Sequence, residues 1–402
     1  MKVLQVNATF GIGSTGKIMS DLSKVMTDKG FESYMLCAYS NVKQDNLYVM
    51  SKLPSPWNAR LNILRMMLTG MNGQSFYNDT KKAIQWIEKI NPDIMHIHNI
   101  HGDWINIEVL FEFIIQKNIP VLWTFHDCWP FTGRCSHFEL AKCQKWKKQC
   151  FECKNLSVYP TTIYFDYSYE MYKQKKGLFS KIPQLSIVTP SKWLADYVKQ
   201  SYFSCRSIDV IHNGIDINKY KVIESVRNNK KNKKILLGVA NSWSETKGLK
   251  DFYKLNEIID HNKYEIMLVG LNDRQLNSLP KSIKGIKRTN SEAELIDLYN
   301  DAFVFINPTY QDNYPTTNLE AMSCGTPVIT YNTGGCSESI NSTTGFVVEQ
   351  GDIEGLYRIV RSMANIDYIE CSRVAKSYCD KNICFEAYIK KYNDIYEVLT
   401  KC

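Results

Sequence analysis

The strongest constraint on the fold is a rhythm that occurs twice. Short apolar runs, "VLQV" (3–6), "YMLCAY" (34–39), "DIMHIH" (93–98), "PVLWTF" (120–125), "LSIVTP" (185–190) and "IDVIH" (208–212), alternate with stretches of helical periodicity. Such alternation builds a parallel sheet covered by helices on both faces. After Asp216 it stops in the polar, basic "NKYKVIESVRNNKKNKK" and restarts at "KILLGVA" (234–240), followed by "YEIMLVG", "IKGIKRT", "AFVFINP", "TPVITYN" and "TGFVVE". A break of that kind marks a domain boundary, and 402 residues exceed one ordinary core. The expectation is α/β: two doubly wound domains at 1–220 and 221–382, the first interrupted by a cysteine-rich insertion at about 128–156. A last helix, 383–402, carries Phe385, Tyr388, Ile389, Tyr392, Ile395, Tyr396 and Leu399 at helical spacing and is expected to pack back on the N-terminal domain.

The start "MKVLQVNATFGIG" runs directly into a strand pattern, no apolar run is long enough for a membrane span, and the 13 cysteines are odd in number and scattered. These features point to the cytoplasm; peripheral contact with the membrane's cytoplasmic face is an expectation that rests on the basic segment described below. A net charge of +8 leaves phosphorylated ligands, acidic lipid and nucleic acid all permitted.

In doubly wound sheets ligands sit beyond the carboxyl ends of the strands, so the residues there carry the functional reading. "GIGSTGK" supplies Gly11, Gly13 and Gly16 between a strand and a helix, where free N–H groups favour phosphate. The second strand ends in "LCAYSNV" without the acid that a nicotinamide site uses, so a packing turn remains the competing account. "TFHDCWPFTGRC" places His126 and Asp127 at a strand end, where His126 could bond a hydroxyl or polarise a phosphate, or be a satisfied structural histidine. "SETKGLKDF" places Lys247 at a loop-to-helix transition, suited to a diphosphate.

In "YQDNYPTTNLEAMSCGTPVIT" the turn chemistry predicts a helix from Pro315 to Cys324, with Gly325 beyond it. Its first N–H groups, near Thr316 and Thr317, favour an anion. Glu320 lies about 7 Å further along at about 1.5 Å rise per residue, the span of a sugar ring, with a carboxylate able to accept from neighbouring hydroxyls. Asp312 precedes the helix. Separately, "RCSHFELAKCQKWKKQCFECK" contains Cys135, Cys143, Cys150 and Cys153, whose C-x-x-C and two nearby thiols suit a structural zinc, with buried thiols as the alternative. Its Lys142, Lys145, Trp146, Lys147 and Lys148 suit a membrane surface, an acidic acceptor or plain solvent. "WNARLNILRMMLTG", with Trp57, Arg60, Leu61, Leu64, Arg65 and Leu68, suits an interfacial or a core helix.

The order of glycine loop, strand-end histidine, "HNGID", "KG" and acid-x7-acid before "AMSCGTPVI" resembles the retaining glycosyltransferases of family 4, over nearly the whole chain. Within the family the resemblance is to the branch building capsule, exopolysaccharide or colanic-acid-like polymers. It implies the GT-B fold, two Rossmann-like domains facing a central cleft. It also implies sugar transfer from a nucleoside diphosphate to a glycan or lipid-linked saccharide, with retention and without a catalytic metal or nucleic-acid partner. Front-face attack assisted by the leaving phosphate is the reaction course it implies. Carried over by position, Lys247 meets the diphosphate and Glu320 the ribose. Asp312 faces the donor sugar, and His126 that sugar or the phosphate. Gly13 and Gly16 leave room, and Asn213 joins the donor-binding set. Two departures stand out. Asp312, after Gln311, replaces the usual glutamate. Asn241 or Ser242 stands where a basic residue often accompanies the lysine, leaving Lys247, aided by Arg274, more of the charge. Competing classes are another nucleotide-sugar enzyme such as an epimerase, a nicotinamide enzyme, and a nucleic-acid or membrane-binding module built on the cysteine segment.

Overall fold

The computed structural model describes residues 1–50, 64–157, 161–227, 232–363 and 368–400. The chain divides into two compact units, Met1–Ile211 with Phe385–Cys402, and His212–Cys384. Trp57, Arg60 and Leu61 lie outside the described residues.

The first unit holds a seven-stranded sheet of β1 (Lys2–Phe10), β2 (Glu32–Ser40), β3 (Leu47–Val49), β4 (Ile94–Ile97), β5 (Val121–Thr124), β6 (Leu185–Thr189) and β7 (Ser207–Val210). Their order is β3-β2-β1-β4-β5-β6-β7, and every pairing is parallel. β4 and β5 are buried at every position, which explains their unbroken apolar runs, since both faces are covered. Phe111, Trp123, Phe125 and Phe179 interlock in the core, with ring centroids 4.6–5.3 Å apart.

The helix Lys381–Thr400 belongs to this unit from Phe385 onward. Phe385, Tyr388, Ile389 and Tyr392 are buried; the side chains of Tyr396 and Leu399 lie outside the described residues. The stripe is not purely apolar in its effect. The Tyr392 hydroxyl lies 2.6 Å from His96 Nδ1, and that of Tyr388 3.3 Å from Thr124 Oγ1, so the helix also satisfies buried polar atoms of β4 and β5.

The second unit holds β8 (Lys234–Val239), β9 (Tyr264–Val269), β10 (Ile283–Ile286), β11 (Val304–Asn307), β12 (Val328–Tyr331) and β13 (Gly345–Val348) in the order β10-β9-β8-β11-β12-β13, again parallel. This unit starts at His212, so "HNGID" opens it and does not close the first. The reason is local: the His212 ring stacks on Tyr314 at 4.7 Å, Asn213 donates to the Tyr314 carbonyl at 3.0 Å, and the Tyr220 hydroxyl donates to Glu292 at 2.8 Å.

Both sheets reverse direction of growth beside their first strand, between β1 and β4 and between β8 and β11. Adjacent loops diverge to opposite faces there and leave a crevice for a ligand.

Candidate functional site

In the second unit the crevice between β8 and β11 is closed on two sides by loops that hold each other. The loop after β8 turns through Glu245–Lys247 and Gly248, and the Thr246 carbonyl accepts from the Tyr310 N–H at 2.8 Å and the Thr309 hydroxyl at 3.2 Å. Gly248 has φ +76°, and a Cβ there would stand 2.1 Å from the Pro308 carbonyl oxygen. Only glycine allows this approach.

That contact brings Lys247 Nζ to 2.6 Å from Asp312 Oδ2, with the side chains 37% and 22% exposed. Burial pulls the Lys247 ammonium down, but the charge and hydrogen bond of Asp312 outweigh it and hold its pKa above the ordinary lysine value. Asp312 is further fixed by the Asn313 N–H, which donates to Oδ1 at 2.9 Å. Asp312 is therefore the counter-ion of Lys247, which the sequence did not reveal: 65 residues separate them, and only the strand order joins them. Arg274 is exposed on the helix Asp273–Asn277 after β9; Asn241 and Ser242 are also exposed.

The helix after β11 runs Thr316–Ser323, with Pro315 as its extended N-cap, Cys324 at its end and Gly325 at φ +78° beyond. Its first turn carries no acid and its cap makes no side-chain bond, leaving the positive end of the helix with half-buried Thr316 and Thr317. Asn318, fully buried, anchors it: its Oδ1 accepts from Asn307 at the end of β11, and its Nδ2 donates to Ser339 Oγ, both at 2.9 Å. Glu320, half-buried, accepts from the Tyr299 hydroxyl at 2.9 Å. Burial, then the Glu320 carboxylate, push the Tyr299 phenol well above its ordinary pKa, so it stays a donor. The two acids thus have separate partners, Lys247 and Tyr299. Asn213, expected at the donor, spends its amide on the Tyr314 backbone and holds the Asp312 loop in place.

In the first unit Gly11 and Gly13 adopt φ +71° and +67° ahead of the helix Gly13–Asp28. A Cβ at Gly16 would meet Thr9 Oγ1 at 2.6 Å, whereas Gly13 faces open space. Gly16 is therefore required for helix–strand packing, and Gly13 for backbone conformation.

His126 belongs to a histidine cluster that sequence reasoning missed. Its Nε2 lies 3.1 Å from His98 Nδ1, with the rings stacked, and His98 packs 4.0 Å from His96. Burial lowers the His126 pKa to about 4 and holds those of His98 and His96 well below the ordinary histidine value, so all three rings are neutral near pH 7. The signal was present in "HIH", since residues i and i+2 of a strand share a face. His101 Nε2 lies 2.9 Å from Asp127 Oδ2, and Trp129 N–H donates to Oδ1 at 2.8 Å. Burial works against the Asp127 carboxylate, but His101 and the Trp129 N–H outweigh it and lower its pKa.

The cysteine-rich segment puts Trp146 in the core among Phe131, Phe138 and Tyr197, correcting the picture of an interfacial aromatic. Lys142, Lys147 and Lys148 are exposed. In the helix at 64–69, Leu64 and Leu68 are 52% and 37% exposed, which removes the core-helix alternative for them. No helix among the described residues is long and apolar enough to cross a membrane.

Two family models match the chain: glycosyltransferase family 4 over residues 16–219 and glycosyl transferases group 1 over 233–365. The chain is 23% identical, over 98% of its own length and all of the relative's, to the putative colanic acid biosynthesis glycosyl transferase WcaC of Escherichia coli K12. It is 26% identical, over 38% of its length and 44% of the relative's, to the capsular polysaccharide biosynthesis glycosyltransferase CapM of Staphylococcus aureus. Similar solved structures include the sucrose-phosphate synthase of Thermosynechococcus elongatus, with TM-score 0.72, 14% identity and 99% of each chain covered. Another is Anabaena HepE in complex with UDP-glucose, with TM-score 0.66, 14% identity and all of each chain covered. With its two Rossmann-like parallel-sheet units of GT-B type and family models matching both, the chain belongs to glycosyltransferase family 4.

Proposed function

We propose that this glycosyltransferase moves a sugar from a nucleoside-diphosphate sugar, with retention, to a glycan or lipid-linked saccharide during surface-polysaccharide synthesis. One observation carries the reading: Lys247 and Asp312 meet at 2.6 Å across the β8–β11 reversal, where the fold binds ligands. Lys247 is charged and partly exposed, so it is ready to exchange or share its carboxylate for a diphosphate. The Thr316–Ser323 helix start adds positive potential, and the half-buried Glu320 carboxylate, held by Tyr299, is the acceptor for ribose hydroxyls. Breaking the sugar–phosphate bond builds negative charge on the leaving diphosphate, which Lys247 and the helix end stabilise; no divalent ion is needed for that task. Asp312, one methylene shorter than glutamate, orients the donor sugar while setting Lys247. His126, as a neutral imidazole, bonds a sugar hydroxyl or the reacting phosphate.

The polysaccharide setting is supported by WcaC and CapM, and the donor class by HepE with its UDP-glucose. A lipid-linked acceptor fits an apolar patch on the first unit. There the Ile163 and Phe165 N–H groups donate to the Met67 and Leu68 carbonyls, and exposed Leu68, Ile163, Tyr164 and Phe165 lie together. The test is a panel of UDP-, GDP- and ADP-sugars with lipid-linked and free acceptors, run with and without chelator. The expected result is transfer from one donor class that survives chelation, with an axial or equatorial anomeric proton signal unchanged from donor to product. Inversion of that signal, or epimerised donor without transfer, refutes the proposal.

A further inference from the structure

The insertion between β5 and the helix Ser168–Phe179 contains, among its described residues, only two short 3-10 turns, Trp129–Phe131 and Lys145–Lys147. A loop that long inside a compact unit needs something other than a backbone ladder to order it. We propose that a zinc ion, held by the thiolates of Cys135, Cys143, Cys150 and Cys153, is that staple.

All four cysteines line one cavity of about 20 Å³, the room of a single small sphere. Cys135 Sγ and Cys153 Sγ stand 4.0 Å apart, and tetrahedral zinc with bonds of about 2.3 Å sets neighbouring sulfurs about 3.8 Å apart. No three of these sulfurs lie within 4.8 Å of one another; binding therefore draws Cys143 and Cys150 inward on their loops. Donors to the sulfurs are already in place. Gly133 N–H points at Cys150 Sγ at 3.1 Å, and Asn155 Nδ2 at Cys135 Sγ at 3.9 Å, as the outer shell of a thiolate site requires. A Cβ on Gly133 would meet Cys150 Cβ at 2.8 Å and the Ser168 carbonyl oxygen at 2.3 Å, so glycine is what lets that N–H reach the sulfur.

The charge balance points the same way. Arg134 is 3% exposed and its Nε and Nη2 have no hydrogen-bond partner, while Lys175 is 0% exposed and donates to the Trp129 carbonyl at 2.6 Å. Arg134 lies within electrostatic reach of Cys153, and Lys175 of Cys150. The nearby carboxylate of Asp166 accepts the Cys153 N–H at 2.6 Å. Two buried basic side chains beside four sulfurs are costly without a counter-charge. Zn²⁺ with four thiolates has a formal charge of −2, which offsets both and gives the guanidinium acceptors. The other donor set in this segment, Cys128, His137 and Glu139, has ligand atoms within 4.8 Å of one another. It supplies three donors of mixed kind and no fourth, and Glu139 already accepts from the Phe138 N–H at 3.2 Å.

The full-length protein, purified under reducing conditions without chelator, is to be analysed for metal and by X-ray absorption at the zinc edge. The expected result is about one zinc per chain with four sulfur neighbours at about 2.3 Å. Cys143→Ser should lose most of the metal, whereas Cys128→Ser keeps it. The absorption measurement on the unaltered protein decides the matter even if Cys143→Ser fails to fold. Less than about 0.1 equivalent of zinc, a first shell containing nitrogen or oxygen, or a Cys135–Cys153 disulfide by mass spectrometry would each overturn the proposal.

Discussion

Replacing Lys247 with glutamine removes the charge at the β8–β11 crevice while keeping much of the side chain. At the 2.6 Å reach seen to Asp312, a unit charge pair is worth about 6 kcal/mol at an effective dielectric of ~20 and about 1.6 kcal/mol at ~80. A side chain 37% exposed lies between these limits. After desolvation, about 2–4 kcal/mol of stabilisation of the departing diphosphate is the reasonable scale, or roughly 30- to 1,000-fold in kcat/KM. The folded protein should hardly register the change, because a partly exposed ion pair contributes at most about 1 kcal/mol. Steady-state release of nucleoside diphosphate, together with urea unfolding, reads both quantities. Asp312→Asn provides the internal control: it frees the ammonium, so nucleoside-diphosphate affinity holds or rises while kcat falls, because the sugar loses its orienting carboxylate. A Lys247→Gln enzyme within threefold of the unaltered kcat/KM, or Asp312→Asn losing nucleotide affinity as severely as Lys247→Gln, would refute the reasoning.

Glu320→Ala should raise the donor KM at least about tenfold, through loss of a charge-assisted acceptor, and Tyr299→Phe, read by urea unfolding, should cost about 1–2 kcal/mol of stability by stripping Glu320 of its buried donor. Gly248→Ala, with positive φ and a Cβ 2.1 Å from the Pro308 oxygen, should lower the unfolding free energy, read by urea, by at least about 2 kcal/mol and weaken donor binding with it. The histidine cluster makes stability pH-dependent. His126 has a folded pKa of about 4, below its unfolded value near 6.5, so the stabilisation of its neutral form is full above 6.5 and lost as pH falls toward 4. Its share approaches about 3 kcal/mol, and His126→Gln should flatten the fall in urea midpoint between pH 7 and 5.

The sheets were legible because β4, β5, β11 and β12 are buried on both faces and therefore read as unbroken apolar runs. The edge strand β3 was not, since three residues of mixed exposure carry no period. Pro315 and Gly325 placed the helix carrying Glu320 to within a residue, as turn chemistry is local. The partners of its acids were not legible. Lys247 reaches Asp312 because β8 and β11 are neighbours, and Tyr299 reaches Glu320 across a helix–helix contact, both long-range consequences of strand order. Asn213 shows the same limit from the other side: the motif containing it was visible, but its hydrogen bond to the Tyr314 carbonyl makes it a support of the loop.

The most direct test of the central claim is a crystal structure with the nucleoside diphosphate of the active donor. The account predicts the β-phosphate within hydrogen-bond distance of Lys247 Nζ, near the start of the Thr316–Ser323 helix, with ribose hydroxyls on Glu320. A nucleotide bound elsewhere, with Lys247 still held by Asp312 alone, would contradict it.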